Sequence, residues 1–156
     1  MTTAGRHEAA SWERGSGGRE MDAARLVAEA ERRMRGCPRP EDVLAEAWQA
    51  YELAGAVGLL LAEGAGPGSG RRRGPGLPPG AATGAGPPRA ARLTGVRDAP
   101  GTLRALHVLL GEIGLALVGL TSSAEDEAAY WQCIEALDAV DEAKDAVRGL
   151  ARDEGG

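Results

Sequence analysis

Residues 103–120 read LRALHVLLGEIGLALVGL, and this stretch decides the fold class. Its leucine and isoleucine side chains recur with a strict 3-4-3-4-3 spacing, which is the heptad seam of a packed helix. We predict a helix over about 99–120, with Asp98 as its N-cap. The seam consists of Leu103, Leu106, Leu110, Ile113, Leu117 and Leu120.

Three further helices are predicted at about 22–35, 40–63 and 124–152, each from an apolar stripe at helical spacing. Glu46 and Glu52 are expected to lie mostly away from the apolar face of the second helix. The short connections around Pro38 and residues 121–123 predict two antiparallel hairpins, 21–63 and 99–152. The expected fold is therefore all-α, a four-helix bundle in which both hairpins form one domain.

The remaining segments are rich in glycine, proline and arginine. Residues 1–20 are predicted to be a disordered N-terminal arm, which raises the hypothesis that translation naturally starts at Met21. Residues 64–98 are predicted to be a disordered Gly/Pro/Arg linker, because glycine and proline are too dense there for a helix or a central strand. Its Arg71–Arg73 cluster is either a solubilising patch or a tether that contacts the acidic face of the fourth helix.

The charge and the cysteine content limit the functions that the chain is expected to have. The chain carries 18 basic and 23 acidic residues, a net charge of -5, so we expect no nucleic-acid binding. Residues 1–20 contain no apolar segment typical of a signal peptide. We therefore expect a cytoplasmic protein in which Cys37 and Cys133 are reduced.

No residue pattern indicates catalysis. The sequence has no nucleophile–histidine constellation in a recognisable context and no phosphate-binding loop. Neither His7 nor His107 follows a glutamate by three residues, as in carboxylate-bridged metal bundles. We predict no catalytic residue, no metal ligand and no cofactor-binding residue, and hence a protein that is not an enzyme.

Val108 and Leu115 lie almost opposite the leucine seam of the third helix. A helix with two apolar sides is central, lies at an oligomer interface or enters a membrane. Arg104 and Glu112 leave only eight apolar residues, 113–120, so we expect no membrane span. The leading interpretation is a homodimer or a complex with a helical partner; otherwise the rest of the bundle covers this side.

Four of the five aromatic residues lie in the second and fourth helices: Trp48, Tyr51, Tyr130 and Trp131. They either form a core contact between these helices, with Trp131 partly exposed, or line an aromatic pocket beside Gln49 and Gln132. The leading function is a non-enzymatic interaction or regulatory protein that self-associates. The alternative is a small-ligand-binding bundle with an aromatic pocket.

Four stretches resemble a family: DAARL at 22–26, VLAEAWQA at 43–50, LGEIGLALVG at 110–119 and YWQCIEA at 130–136. They are similar to an uncharacterised family of small helical proteins from Streptomyces and other actinobacteria, described only as a domain of unknown function. The resemblance implies no activity. It implicates a set of signature residues: Trp48, Gln49, Tyr130, Trp131, Gln132 and Cys133.

Overall fold

The computed structural model describes residues 21–36, 38–65 and 88–155. The predicted arm at 1–20, Cys37, the linker residues 66–87 and therefore Arg71–Arg73 lie outside the described residues. Helices account for 86% of what is described, and five helices pack against each other. The prediction of a helical fold is confirmed.

The elements follow one another as two strands and five helices in the described ranges. Helix bounds agree with the predicted ones to within a few residues at each end. In chain order they are β1 (Met21–Asp22), α1 (Ala23–Arg35), α2 (Pro40–Ala65), α3 (Arg89–Arg92), β2 (Leu93–Gly95), α4 (Ala99–Ser123) and α5 (Glu127–Gly155).

Aspartate side chains accept hydrogen bonds from the backbone at the N-termini of three helices. The backbone N–H of Gly101 donates to Asp98 Oδ1 at 3.0 Å, so the predicted N-cap of α4 is confirmed. Asp22 caps α1 in the same way, by accepting from the Ala24 N–H at 3.0 Å. Asp126 accepts from the Ala129 N–H at 2.8 Å at the start of α5.

Helix α4 supplies the centre of the core. It packs most extensively against α5 and also contacts α1 and α2. Its predicted seam is buried, although Leu120 is only partly so and Leu109 joins it. The fully buried apolar side chains of α4 are Leu103, Leu106, Leu109, Leu110, Ile113 and Leu117. Burial of this seam against three helices is the main source of tertiary stability.

The predicted linker is too long at its C-terminal end. Within residues 88–98, Arg89–Arg92 form α3 and Leu93–Gly95 form β2, which pairs in parallel with β1. The Arg97 backbone N–H also donates to Asp22 Oδ1 at 2.8 Å. The prediction was wrong here because tertiary contacts, which the glycine and proline content does not report, hold this segment. It forms a strap between α1 and α2, and α1 packs more extensively against α4 than against α2.

Candidate functional site

The outward side of α4 carries large apolar side chains that are exposed to solvent. Leu115 is 76% exposed, Val108 is 54% exposed and Val118 is 49% exposed. These residues lie opposite the buried seam, as the sequence predicts for Val108 and Leu115. Together with their neighbours they repeat with 4-3-4-3-4 spacing, and we call this set the outer strip: Arg104, Val108, Gly111, Leu115, Val118 and Ser122.

Two glycines, Gly111 within the outer strip and Gly119 beside it, leave open space on the outward side of α4. A Cβ added at Gly111 or at Gly119 would meet no atom within 4 Å. By contrast, a Cβ at Gly58 would lie 3.5 Å from Leu150 Cδ1, and one at Gly114 would lie 3.8 Å from Val140 Cγ1. Gly111 and Gly119 therefore lie on the open side of α4, whereas Gly58 and Gly114 face other helices.

Helix α4 is long enough and apolar enough to cross a membrane by length and composition alone. The expectation that Arg104 and Glu112 make it too short is therefore not supported by the helix as a whole. A third of its most apolar 18 residues is buried against the other helices. A core helix of a globular protein meets the same criterion.

The aromatic residues form two separate pairs. Trp48 and Tyr51 meet edge to face in α2 with 5.9 Å between ring centroids. Tyr130 and Trp131 do the same in α5 at 5.3 Å. Both pairs lie within their own helix, so no ring contact joins α2 to α5 among the described aromatics. Trp131 is 53% exposed, as predicted, whereas Trp48 and Tyr51 pack against the core.

The two signature glutamines lie in different settings. Gln49 Oε1 accepts a hydrogen bond from the Arg89 backbone N–H at 2.9 Å, which fixes the start of α3 on α2. Gln132 is exposed on α5. The structure therefore does not bring the two Trp-Gln dipeptides to one site within the described ranges.

A buried ionic network joins the strap to α1 and α2, and we call Glu29, Glu46, Arg89 and Arg92 the strap cluster. Glu46 is 2% exposed, so the expectation that it lies on the polar side of α2 was wrong. Arg89 donates to both Glu46 oxygens, from Nη1 at 2.5 Å and from Nη2 at 3.2 Å. Its fork satisfies both oxygens of this buried carboxylate, and the exposed Arg33 Nε lies 3.6 Å from Glu46 Oε2 as a second, weaker partner.

The second half of the strap cluster is more open to solvent. Arg92 donates to the two Glu29 oxygens at 3.1 Å and 2.8 Å, and Arg89 Nε lies 3.4 Å from Glu29 Oε1. The hydrogen bonds from Arg92 lower the pKa of Glu29 below its ordinary value. The same pairing raises the pKa of Arg92. Glu29 thus links both strap arginines to α1.

A cavity of about 200 Å³ lies between α2 and α5. Tyr51, Glu52, Gly55 and Glu142 line it with apolar neighbours, but the residues around it include neither described tryptophan of the signature. Burial raises the pKa of Glu52, and its Oε2 atom has no hydrogen-bond partner among the described residues. Burial is also the main cause of the raised pKa of Tyr51.

Metal-binding and nucleophilic groups are sparse. Within the described ranges no group of three or more His, Cys, Asp or Glu side chains could hold a metal ion. Cys133 is a buried free thiol, and burial raises its pKa. A thiol with a raised pKa is a poor nucleophile at neutral pH.

A comparison with protein-family models matches residues 21–153 to a family of unknown function (DUF6099). The match spans both helical pairs and the segment between them. No curated protein and no solved structure matches the chain. The matched range covers most of the sequence, and the chain therefore belongs to this family of unknown function.

Proposed function

We propose that this chain is a non-enzymatic interaction protein that self-associates through the outer strip of α4. The observation that carries the proposal is Leu115, a leucine 76% exposed on the helix whose opposite side forms the core. Val108 and Val118 extend the same apolar surface one to two turns in either direction. Contiguous apolar surface of this kind, rimmed by polar residues, is typical of interaction sites.

The bundle that presents this surface is, in our proposal, made of two antiparallel hairpins, α1–α2 and α4–α5. Arg33 near the end of α1 lies 3.6 Å from Glu46 near the start of α2. Leu103 at the start of α4 and Val147 late in α5 line one cavity. These pairs of residues support opposite chain directions within each hairpin.

The occupant that best fits the outer strip is a second copy of the same strip. In an antiparallel pair centred near residue 113, Leu115 lies opposite Gly111 of the second copy, and Val108 lies opposite Val118 of the second copy. Because a Cβ at Gly111 meets no atom, the leucine finds open space there. Large side chains facing gaps give knobs-into-holes packing, and a two-fold axis repeats every contact.

We propose that α4 stays in the bundle and does not span a membrane. Six of its apolar side chains are fully buried against other helices. Insertion of α4 into a membrane would remove all six from these contacts. Burial of a leucine side chain contributes about 1.5–3 kcal/mol, so this face strongly favours the packed position. We also propose a cytoplasmic location without a cofactor, and no nucleic-acid binding because the net charge is -5.

A charge substitution tests the self-association. Leu115→Arg places a charge in the centre of the outer strip, where the leucine is already exposed, so the monomer keeps its fold. We expect the chain to be dimeric at tens of micromolar by light scattering and Leu115→Arg to be monomeric. Ala128→Arg adds the same charge at an exposed position of α5, away from the outer strip, and serves as the matched control.

The control variant should remain dimeric. If the unmodified chain is monomeric, or if Leu115→Arg dimerises as well as Ala128→Arg, the outer strip is not the interface. The proposal would also be contradicted if the dimer survived Leu115→Arg but was lost when a residue on another surface was substituted.

The alternative, a small-ligand-binding bundle with an aromatic pocket, has one supporting observation. Tyr51 lines the cavity between α2 and α5, although Trp48 and Trp131 are not among the residues around it. Its discriminating measurement is tryptophan fluorescence during ligand titration, because Trp48 lies edge to face with Tyr51 at 5.9 Å and a ligand in this cavity would change the surroundings of that pair.

A further inference from the structure

A cavity of about 560 Å³ lies on the surface between α4 and α5. We call it the basic groove, because four of the side chains that line it are basic. Its volume falls within the range of about 300–1,000 Å³ that is typical of small-molecule sites. The basic side chains are Arg104, His107, Lys144 and Arg148, and apolar lining comes from Leu103, Val108, Val147 and Ala151.

The charge of the basic groove is opposite to that of the chain. The protein carries a net charge of -5, yet no acidic side chain lines this cavity within the described ranges. Lys144 is the single lysine of the sequence, and it lies here. Arg104, Lys144 and Arg148 around one apolar cavity raise the local positive potential, which attracts anions.

Little in the protein neutralises these charges. Arg148 Nη2 lies 3.3 Å from Asp145 Oδ1, an exposed contact within one turn of α5. Exposed pairs of this type contribute little to stability, so Arg148 can turn to a ligand at small cost. In the described part of the chain, Arg104 and Lys144 have no carboxylate within ion-pair distance.

We infer that the basic groove binds an amphipathic anion, a carboxylate or phosphate attached to a single apolar chain or ring. The headgroup would contact Lys144 and the two arginines, and the apolar body would lie on Val108 and Ala151, the exposed apolar side chains of the lining. Charge-assisted hydrogen bonds supply orientation, and burial of the apolar body supplies affinity. A free fatty carboxylate and a lipid headgroup share this chemistry.

The inference goes beyond self-association and does not require it. Arg104 and Val108 belong to both the outer strip and the basic groove, whereas Lys144, Val147 and Arg148 belong to the groove alone. Binding should therefore be measured in both the intact chain and Leu115→Arg. Binding that persists in the monomeric variant separates the two proposals.

Titration calorimetry with decanoate below its micellar concentration tests the inference. We expect saturable binding of decanoate and at least tenfold weaker binding of 1-decanol and of decyltrimethylammonium, because a charge-assisted hydrogen bond contributes about 1.5–3 kcal/mol. Lys144→Gln and Arg104→Gln should each weaken decanoate binding by about tenfold. Arg35→Gln removes the same charge at an exposed position of α1 and should leave the affinity for decanoate unchanged.

Lys144 also allows a direct readout of occupancy. An amine-acylating reagent can modify only Lys144 and the amino terminus, because the sequence has no other lysine. Mass spectrometry should show that decanoate protects Lys144 from acylation while the amino terminus still reacts. Equal labelling of Lys144 with and without decanoate would overturn the inference.

Two further results would overturn it. If decanoate, 1-decanol and decyltrimethylammonium bind alike, the cavity selects apolar surface rather than an anion. If the chain sediments with vesicles of phosphatidylglycerol but does not bind decanoate, its basic side chains act as a surface patch and not as a cavity. Binding of decanoate together with such vesicles supports the site and identifies lipid as a second source of ligand.

Discussion

Arg89 on the strap and Glu46 on α2 are 43 residues apart in the sequence and form a two-fold hydrogen-bonded ion pair from which water is almost excluded. The pair fixes α3 on α2. Gln49 accepts from the Arg89 backbone one turn further along α2. The strap is therefore held by an arginine at both its side chain and its main chain.

Removal of the guanidinium should be strongly destabilising. Arg89→Ala leaves the buried Glu46 carboxylate without its main partner, and we expect a loss of about 3–5 kcal/mol in the free energy of unfolding. Urea denaturation followed by circular dichroism measures it. Arg39→Ala, which removes an arginine paired with Glu41 at 3.4 Å on the surface, is the matched control and should cost less than about 1 kcal/mol.

A double substitution separates burial of charge from loss of packing. Replacing both members, with Arg89→Met and Glu46→Leu, removes the unpaired charge, and we expect most of the stability lost in Arg89→Ala to return. A loss as small in Arg89→Ala as in Arg39→Ala would contradict the buried pair.

Glu29 gives the stability a pH dependence of known sign. Hydrogen bonds from Arg92 lower its pKa in the folded state, so the contribution is present above the unfolded value, near 4.5, and is lost as the pH falls through the folded value. Glu29→Gln should lower stability by about 1 kcal/mol at pH 7, since the group is partly exposed. The difference between the two proteins should shrink in acid, as measured by denaturation at successive pH values. A difference that is constant across this range would show that Glu29 does not titrate in the way the pairing requires.

The helix glycines of α2 predict opposite effects at adjacent turns. Gly58→Leu should destabilise by about 1–3 kcal/mol, because the new side chain enters the contact with Leu150. Gly55→Ala should stabilise by about 1 kcal/mol, because its Cβ meets no atom and alanine is the better helix former. Thermal denaturation of the two variants compares them. Equal shifts of the melting temperature in the same direction would contradict the packing described for α2.

Periodicity predicted the helices because each buries one face. The leucine seam of α4 has side chains every third and fourth residue, and such a pattern specifies its buried side without knowledge of the partner helix. The opposite side followed from the same arithmetic, so Val108 and Leu115 could be placed before the structure. The Asp98 cap depends on local sequence alone and could be predicted in the same way.

The strap cluster could not be predicted in this way. Glu46 lies among acidic residues of α2, and only a partner from a distant segment makes its burial tolerable. That partner, Arg89, lies in a region whose glycine and proline content indicates a linker. The basic groove was missed for a related reason, since Arg104 and Lys144 come together only when α4 and α5 pack.

Cysteine pairing tests the proposed orientation of the dimer. In the antiparallel arrangement Val108 faces Val118 of the second copy, so a mixture of Val108→Cys and Val118→Cys should form the mixed disulfide. Each variant alone should form little, because its own cysteines lie several turns apart across the axis. Non-reducing electrophoresis after mild oxidation separates these products. Efficient cross-linking of Val108→Cys with itself would instead indicate parallel helices.

The central claim is that the outer strip of α4 joins two copies, and the mass of the protein in solution tests it most directly. Sedimentation equilibrium of the intact chain at tens of micromolar should give twice the 16.0 kDa of one chain, with dissociation on dilution. The Leu115→Arg variant should sediment as a single chain under the same conditions. A mass of 16.0 kDa for the unmodified protein throughout this range would contradict the claim.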